Sequence, residues 1–409
     1  MQVNKMKNIS ILKIALVTLL IFIYEGCTNR PNFMRYEVFF HAPLGTGLNE
    51  IGSNIPLLKE NFSNSQEIKI SDYLDIPTSI QIFKNKLYIA DKYNKRVSVF
   101  NISKDTGTNL IILSSGEGYK FDTPFQVAVN KYGEIYVVAS ISNIERKTYT
   151  NLNMEEYNED VNFVDTNSEE GYNNFYIFKF SPDGRFIYSI GEKGIHSEPM
   201  SYPLRIEVDL FDNLYAYYKY YEGGREIWIV KRFSSSGELN FEFNTRYISS
   251  TNIKGDKVFA GRVSDIYNLK NDERLMIYSD YYIVQKKNTP VGTPDEVYHS
   301  LDVYSVLQNS ITKNIFQSRK YIDQFIKITR DDILVLYSYD ERFNGVRFRF
   351  IDIASSLNSQ EVYYAPIISD NYPNFGFYVD DYGEIYSMVV KDNSYFVLLK
   401  WKKVKSKVS

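Results

Sequence analysis

Six times along this chain an apolar run leads into a tight polar turn and out into a second apolar run. The pairs are Ser79 to Phe83 with Leu87 to Ala90, Phe125 to Val129 with Ile135 to Val138, Leu204 to Val208 with Leu214 to Tyr218, Val263 to Leu269 with Leu275 to Tyr278, Phe325 to Ile328 with Ile333 to Tyr337, and Phe375 to Val379 with Ile385 to Met388. Their turns are built from Asn, Asp, Gly and Lys, as in Asn130-Lys131-Tyr132-Gly133-Glu134. Short apolar runs bounded by such residues read as hairpin strands. No stretch of useful length carries a 3.6-residue apolar period, so helices are not expected in the body of the fold.

Further strand-like segments follow the early pairs: Arg96 to Ile102 and Leu110 to Leu113, then Phe175 to Phe180 and Arg185 to Ile190, then Glu226 to Phe233 and Glu238 to Phe243. Four strands per unit make a β-meander. The equivalent positions Tyr88, Tyr136, Tyr215, Met276, Leu334 and Tyr386 are 48, 79, 61, 58 and 52 residues apart. A lone meander leaves both faces open to water, whereas units packed around an axis bury each face on the next. The expected fold class is therefore all-β: a six-bladed β-propeller of four-stranded antiparallel blades, closed by an N-terminal strand. The last unit supplies only three strands, Phe375 to Val379, Ile385 to Val390 and Tyr395 to Trp401. Its fourth is expected from Tyr36 to Phe40, with Glu67 to Ile70 as the alternative, because an open edge invites non-native pairing.

The first unit has a sharper signature. Tyr88-Ile89-Ala90-Asp91, followed by Asn94, Arg96, Val97 and Phe100, resembles the NHL-type repeat. Gly133-Glu134-Ile135-Tyr136 and Gly383-Glu384-Ile385-Tyr386 match the part of that repeat leading into its second strand, while the third to fifth units diverge. The resemblance implies a six-bladed propeller over residues 34–403. It also implies a structural role for Asp91 and Arg96, a buried carboxylate that satisfies turn donors and pairs with a guanidinium. In layout the chain is similar to propeller lipoproteins of spirochaetes.

At the N-terminus, Lys5, Lys7 and Lys13 precede an apolar run from Ile14 to Ile23. This is the layout of an export signal, and it is short for a membrane span of roughly 20 apolar residues. The run ends in Tyr24-Glu25-Gly26-Cys27, and Cys27 is the chain's single cysteine. A small residue before that cysteine resembles a bacterial lipobox, with Tyr24 and Glu25 departing from its usual Leu and small residue. By this resemblance residues 1–26 are a lipoprotein signal peptide, Cys27 carries the lipid, 27–33 form an anchor and linker, and 34–409 form the propeller. The other reading is an uncleaved signal anchor with an incidental cysteine. Both place residues 28–409 outside the cytoplasm, in a bacterial cell envelope, lipid-anchored under the first.

Composition excludes several classes. The net charge is −3 with no basic excess, so a nucleic-acid partner is not expected. One cysteine allows neither an intrachain disulfide nor a thiolate metal site, and the three histidines, His41, His196 and His299, are far apart in sequence. There is no Gly-x-Ser-x-Gly, His-Glu-x-x-His or phosphate-binding loop. No catalytic residue, metal or cofactor is assigned.

Meander topology puts alternate loops on opposite faces. The long connections, Ser140 to Asn174, Thr245 to Arg262 and Asp280 to His299, fall on the face opposite the short turns, and long loops on a rigid scaffold are where binding concentrates. The acidic insertion at about 141–174 carries Glu145, Glu155, Glu156, Glu159, Asp160, Asp165, Glu169 and Glu170 against Arg146 and Lys147. It reads as a solvated loop, as a docking arm for a basic partner, or as a calcium loop, although Asp-x-Asp-x-Asp-Gly spacing is missing. Its candidate binding residues are Glu155, Glu156, Asp160, Asp165, Glu169 and Glu170. On the first strands, Gln81, Gln126, Arg205, Glu207 and Lys327 are expected to line the axial channel. The expected function is a membrane-anchored module that binds an envelope protein partner through its loop-rich face. The alternative is a propeller hydrolase or lyase with an axial calcium site, resting on fold analogy and on Glu207, Asp265 and Asn268. A small-molecule ligand is left open.

Overall fold

The computed structural model describes residues 32–54, 75–102, 108–114, 116, 119–141, 174–195, 197–222, 225–247, 251–254, 257–271, 273–286, 297–308, 310–318, 324–353, 360–368 and 374–404. Among them all regular structure is strand, apart from the 3-10 turns Thr245–Tyr247 and Glu341–Phe343. Strand β1 (Asn32–Pro43) comes first. A four-stranded antiparallel sheet follows, of β2 (Ile80–Phe83), β3 (Lys86–Asp91), β4 (Arg96–Asn101) and β5 (Thr108–Leu113). The second sheet holds β6 (Pro124–Val129), β7 (Ile135–Ser140), β8 (Phe175–Phe180), β9 (Phe186–Gly191) and the two-residue β10 (Gly194–Ile195). The third holds β11 (Arg205–Val208), β12 (Leu214–Glu222), β13 (Arg225–Phe233) and β14 (Leu239–Asn244). The fourth holds β15 (Thr251–Lys254), β16 (Lys257–Asn268), β17 (Leu275–Lys286), β18 (Val297–Ser305) and β19 (Ser310–Ser318). Strands β20 (Gln324–Ile328), β21 (Ile333–Asp340), β22 (Gly345–Asp352), β23 (Gln360–Pro366), β24 (Asn374–Val379), β25 (Ile385–Lys391) and β26 (Tyr395–Lys403) join β1 in an eight-stranded sheet ordered β20-β21-β22-β23-β1-β26-β25-β24.

One turn chemistry recurs at the hairpins. Asn130, Ser181, Asp209, Ser234, Thr329 and Asp380 each close a strand, and the side-chain oxygen of each accepts the N–H four residues on, at 2.9–3.2 Å. Three residues after each of them, Gly133, Gly184, Asp212, Gly237, Asp332 and Gly383 adopt φ between +55° and +89°. The chain can reverse tightly there only with a residue that tolerates the left-handed region, which explains the Gly and Asp.

The core is divided among the interfaces. Among the described residues six apolar clusters occur, five shared by neighbouring sheets and one by the two halves of the eight-stranded sheet. Tyr88, Val97 and Val99 of the first sheet meet Val127, Ile135 and Val137 of the second. Tyr136 and Val138 of the second meet Leu214 and Ala216 of the third. Tyr217 and Val230 of the third meet Ile266 and Ile277 of the fourth. Met276 and Val303 of the fourth meet Leu334 and Ile351 of the eight-stranded sheet. Within that sheet, the half carrying Val335 and Phe348 packs on the half carrying Ile385 and Trp401. Phe40, Met388 and Phe396 then pack on Ile80, Leu87 and Phe100 of the first sheet. The arrangement is all-β and propeller-like, because every face finds its partner on the next group.

Closure rests on β1. It pairs antiparallel with β26 from Met34↔Lys403 to Pro43↔Tyr395, with a bulge between Val38 and Phe40. It touches β23 only through the parallel pairs Asn32↔Tyr363 and Phe33↔Tyr364. The segment after β1 is then clamped onto the first sheet. The fully buried Asp91 carboxylate accepts the Gly52 N–H on both oxygens at 3.1 Å, and also accepts the Asn94 N–H and the Asn94 amide. A Cβ on Gly52 would lie 2.5 Å from Asp91 Oδ1, so this approach requires glycine. Arg96 stands 3.6 Å from the same carboxylate, and its Nη2 donates to the carbonyls of Gly47 and Glu50 at 2.6 and 2.7 Å. Burial pushes the Asp91 carboxyl up, and the Gly52, Asn94 and Arg96 groups offset part of that rise.

The expected Tyr36-to-Phe40 closing strand is therefore the core of β1, and the alternative Glu67 to Ile70 lies outside the described residues. Two expectations need correction. Thr245 to Arg262 is not a plain connection: it holds a 3-10 turn, β15 and the start of β16, which pair as a hairpin. Asp280 to His299 is not a long connection throughout: β17 runs on to Lys286 and β18 begins at Val297, with Asp280 paired to His299. In both places the strands extend beyond the paired apolar runs into mixed sequence such as Tyr281-Tyr282-Ile283-Val284-Gln285, and the ladder hydrogen bonds continue through it because they are made by the backbone. The fourth sheet thereby gains β15 as a fifth strand, and the second sheet has its own fifth strand in the two-residue β10, which pairs with β9.

Ending the chain at residue 390 removes β26, the strand between β25 and β1. The shortened chain is expected to lose the single cooperative melting transition of the full protein in circular dichroism. An unchanged melting curve would refute the latch.

Candidate functional site

The polar residues on the first strands of the later units converge, and their partners come from the neighbouring units. On β11, Arg205 Nε stands 3.1 Å from Glu207 Oε1. The N–H does not point along that line, so this contact is an ion pair without an aligned hydrogen bond. Arg205 also stands 3.4 Å from Asp265 on β16, and its Nη2 donates to the Ile266 carbonyl. Its guanidinium lies between the rings of Tyr217 and Tyr267, at 4.3 and 3.9 Å from their centroids. Asp265 follows a register shift between Val263 and Asp265, and a bulge of this kind re-aims the side chains beside it. Tyr267 donates its hydroxyl to Asp265.

Lys270, just past the end of β16, donates to Glu207 Oε2 at 2.7 Å and to the Val208 carbonyl at 3.3 Å. On β20, Lys327 pairs with Asp381 of the β24–β25 turn at 3.1 Å. Asn268 is fully buried and is held by Tyr217, which donates to Asn268 Oδ1 at 2.8 Å and accepts its backbone N–H at 2.9 Å. Gln126 on β6 donates to the Tyr202 hydroxyl at 3.1 Å and to the Pro203 carbonyl at 2.5 Å. Gln81 on β2 is buried.

The electrostatics follow from burial and pairing. Burial raises the Glu207 carboxyl, but Lys270, Arg205 and Lys327 together pull it below its ordinary range. Burial likewise raises Asp381, and Lys327 and Lys270 outweigh it and bring the carboxyl down. Lys327 is pushed down by burial and lifted further by Asp381 and Glu207, so it stays protonated. Burial lifts the Tyr217 and Tyr267 hydroxyls well above their usual range, so both remain neutral donors.

This girdle is charge-balanced, with Arg205, Lys270 and Lys327 set against Glu207, Asp265 and Asp381. The calcium set drawn from the sequence does not fit. Glu207 and Asp265 are turned onto Arg205 and Lys270, and Asn268 is occupied by Tyr217. Among the described residues no group of three or more His, Cys, Asp or Glu side chains converges to hold a metal ion. Lys270, Asp381, Tyr217 and Tyr267 are the members that sequence reasoning missed. Lys270 and Asp381 sit in turns, and only the ring brings a turn of one unit against the first strand of another.

Cys27 and the acidic residues Glu155, Glu156, Asp160, Asp165, Glu169 and Glu170 lie outside the described residues. What the structure does describe is where the acidic insertion attaches. Strands β7 and β8 pair through to Ser140↔Phe175, and the Ile141 N–H donates to the Asn174 carbonyl at 2.9 Å. Ile141 and Asn174, the described residues on either side of 142–173, therefore face each other at the end of one antiparallel ladder.

No protein-family model and no curated protein matches the chain. Among solved structures, it resembles a chain of a mitotic checkpoint complex at 9% identity and a TM-score of 0.37, over 81% of this chain and 75% of that one. It resembles U3-55K at 7% identity and a TM-score of 0.39, over 79% and 95%. It resembles the polysaccharide lyase Uly1 at 10% identity and a TM-score of 0.41, over 80% and 90%.

Removing one partner of a buried pair leaves an uncompensated charge. Lys270→Met is therefore expected to cost about 3 kcal/mol in chemical denaturation, and Glu207→Gln in the same chain to restore part of that loss. Because the Glu207 pKa is lowered by folding, its stabilisation is fully present above the unfolded value and is lost as pH falls through the folded one. Glu207→Gln should flatten the acid side of the stability–pH profile below the ordinary carboxylate value of 4.5, and an unchanged slope there would count against the pairing.

Proposed function

We propose that this protein is a lipid-anchored β-propeller of the bacterial cell envelope that binds a protein partner through its long-loop face. In this reading the eight-stranded sheet counts as two blades that share β1, which brings the ring to six. The two-rung parallel contact between β1 and β23 and the face-to-face packing of the two halves support that count. The Asp91–Arg96 clamp, with Asn94 on the same carboxylate, supports an NHL-type first unit. Lipid attachment at Cys27 rests on the sequence layout alone.

The observation that carries the binding reading is the attachment of residues 142–173. Ser140 and Phe175 are paired neighbours, so a two-residue hairpin turn could join these strands. The β7–β8 ladder is complete up to Ser140↔Phe175 without the acidic segment, and the charge of that segment fits it to a basic partner surface. Its carriers are Glu155, Glu156, Asp160, Asp165, Glu169 and Glu170. The internal neutralisation of the girdle favours binding over axial calcium chemistry, because neither Glu207 nor Asp265 is left to take a cation.

Replacing residues 142–173 by Asn-Gly is expected to leave the melting temperature within a few degrees of the parent, since no ladder pair is lost. The same change should abolish crosslinking of the full-length protein to its envelope partner in gently crosslinked membranes. Equal crosslinking by both forms would overturn the assignment of the insertion as the contact. Cys27→Ser should release the protein from the membrane fraction, and retention there would overturn the lipid anchor.

A further inference from the structure

The outer rim where β1 begins carries exposed aromatic side chains in mutual contact. Phe33 is 47% exposed and Phe343 36% exposed. Their rings stand 6.1 Å apart, and Tyr364 lies 4.3 Å from Phe343 and 6.3 Å from Phe33. Phe343 ends the 3-10 turn Glu341–Phe343, which Asp340 caps by accepting the Arg342 N–H. The Arg342 side chain is 71% exposed, pairs with Asp340 at 2.7 Å, and lies over the Phe343 ring at 5.6 Å. Arg35, two residues along β1 on the same face as Phe33, is also exposed. Aromatic rings rimmed by guanidinium groups are the composition of surfaces that sit at the lipid–water interface.

The length of chain before this patch decides what can cover it. Four residues lie between Cys27 and Asn32, and the five steps from one to the other span at most about 18 Å when fully extended. The headgroup layer itself is roughly 5–8 Å thick. If Cys27 is lipidated, the start of β1 can stand only about 10 Å from the headgroups. We propose that the Phe33–Phe343–Tyr364 patch rests on the bilayer surface beside the anchor, fixing the tilt of the ring on the membrane. This rests on the lipidation reading of Cys27. A lipid alone would leave the ring free to swing about its tether. The patch supplies a second point of contact, which fixes orientation where the lipid alone fixes only position.

The test uses the full-length exported protein, with the state of Cys27 read by mass, on vesicles of phosphatidylcholine with a minor anionic lipid, with and without acyl-chain bromination. Tryptophan is placed by Phe343→Trp, by Arg35→Trp as a second reporter, and by Phe211→Trp as a control. Phe211 is 61% exposed on the β11–β12 turn of the third sheet. The signal of the buried Trp228 and Trp401 is subtracted using the parent protein. Emission from positions 343 and 35 is expected to shift to the blue and fall on brominated vesicles, while position 211 stays unchanged. Vesicle binding with 343 and 35 unquenched overturns the patch while leaving the anchor in place. Absence of vesicle binding, with an unmodified Cys27 by mass, overturns the anchor and the patch with it.

Discussion

The antiparallel ladder between β1 and β26 is the interaction on which the rest of this structure depends. Each sheet buries its faces only against its neighbours, so an unclosed ring would expose two of them. Closure is made between residues more than 350 positions apart, from Met34↔Lys403 to Pro43↔Tyr395. It is fastened a second time by Asp91, which draws in the Gly52 N–H, and by Arg96, which holds the carbonyls of Gly47 and Glu50. The ladder joins the two ends of the chain, and the clamp ties the junction to the first sheet. Phe40, touching Phe100 and Phe396 at ring distances of 5.2 and 6.4 Å, fills the space between them.

A closed ring makes the short turns meet. The Lys131 ammonium donates to the Leu210 carbonyl, the Leu210 N–H to the Lys270 carbonyl, the Lys270 N–H to Asp332, and the Arg330 N–H to the Asp381 carbonyl. These links run from the second sheet to the last strands on one face. They hold the same turns that supply Lys270 and Asp381 to the interior, so the polar girdle and the turn network are one construction. Its charges are balanced internally, which suits a rigid scaffold, and under the proposed function recognition falls to the loops on the other face.

Much of this was legible in the sequence. The paired apolar runs fell on β2 with β3, β6 with β7, β11 with β12, β20 with β21, and β24 with β25, and the closing strand fell on Tyr36 to Phe40. The pairing of Arg205 with Glu207 could be read from their two-residue spacing on one strand face, and the structural role of Asp91 from its motif. The failures have two causes. The extensions of β16, β17 and β18 and the short β15 fall outside the paired apolar runs, and their place in the sheet is set by backbone pairing with neighbours that the sequence does not show side by side. Glu207, Asp265 and Asn268 looked like metal ligands because a sequence shows which oxygens are present and not which cations stand beside them.

The sequence by itself determined the strand repeat, the turn residues and the missing strand of the last unit, because strand periodicity and left-handed turns are properties of neighbouring residues. Only the tertiary structure decided which charges meet, how β1 bridges β23 and β26, and which aromatic side chains stay exposed beside the start of the chain. Those outcomes depend on register around the ring. There Lys270 reaches back to Glu207, Lys327 reaches Asp381 and Phe33 meets Phe343, and a displacement of one residue in any ladder would turn each side chain to the opposite face.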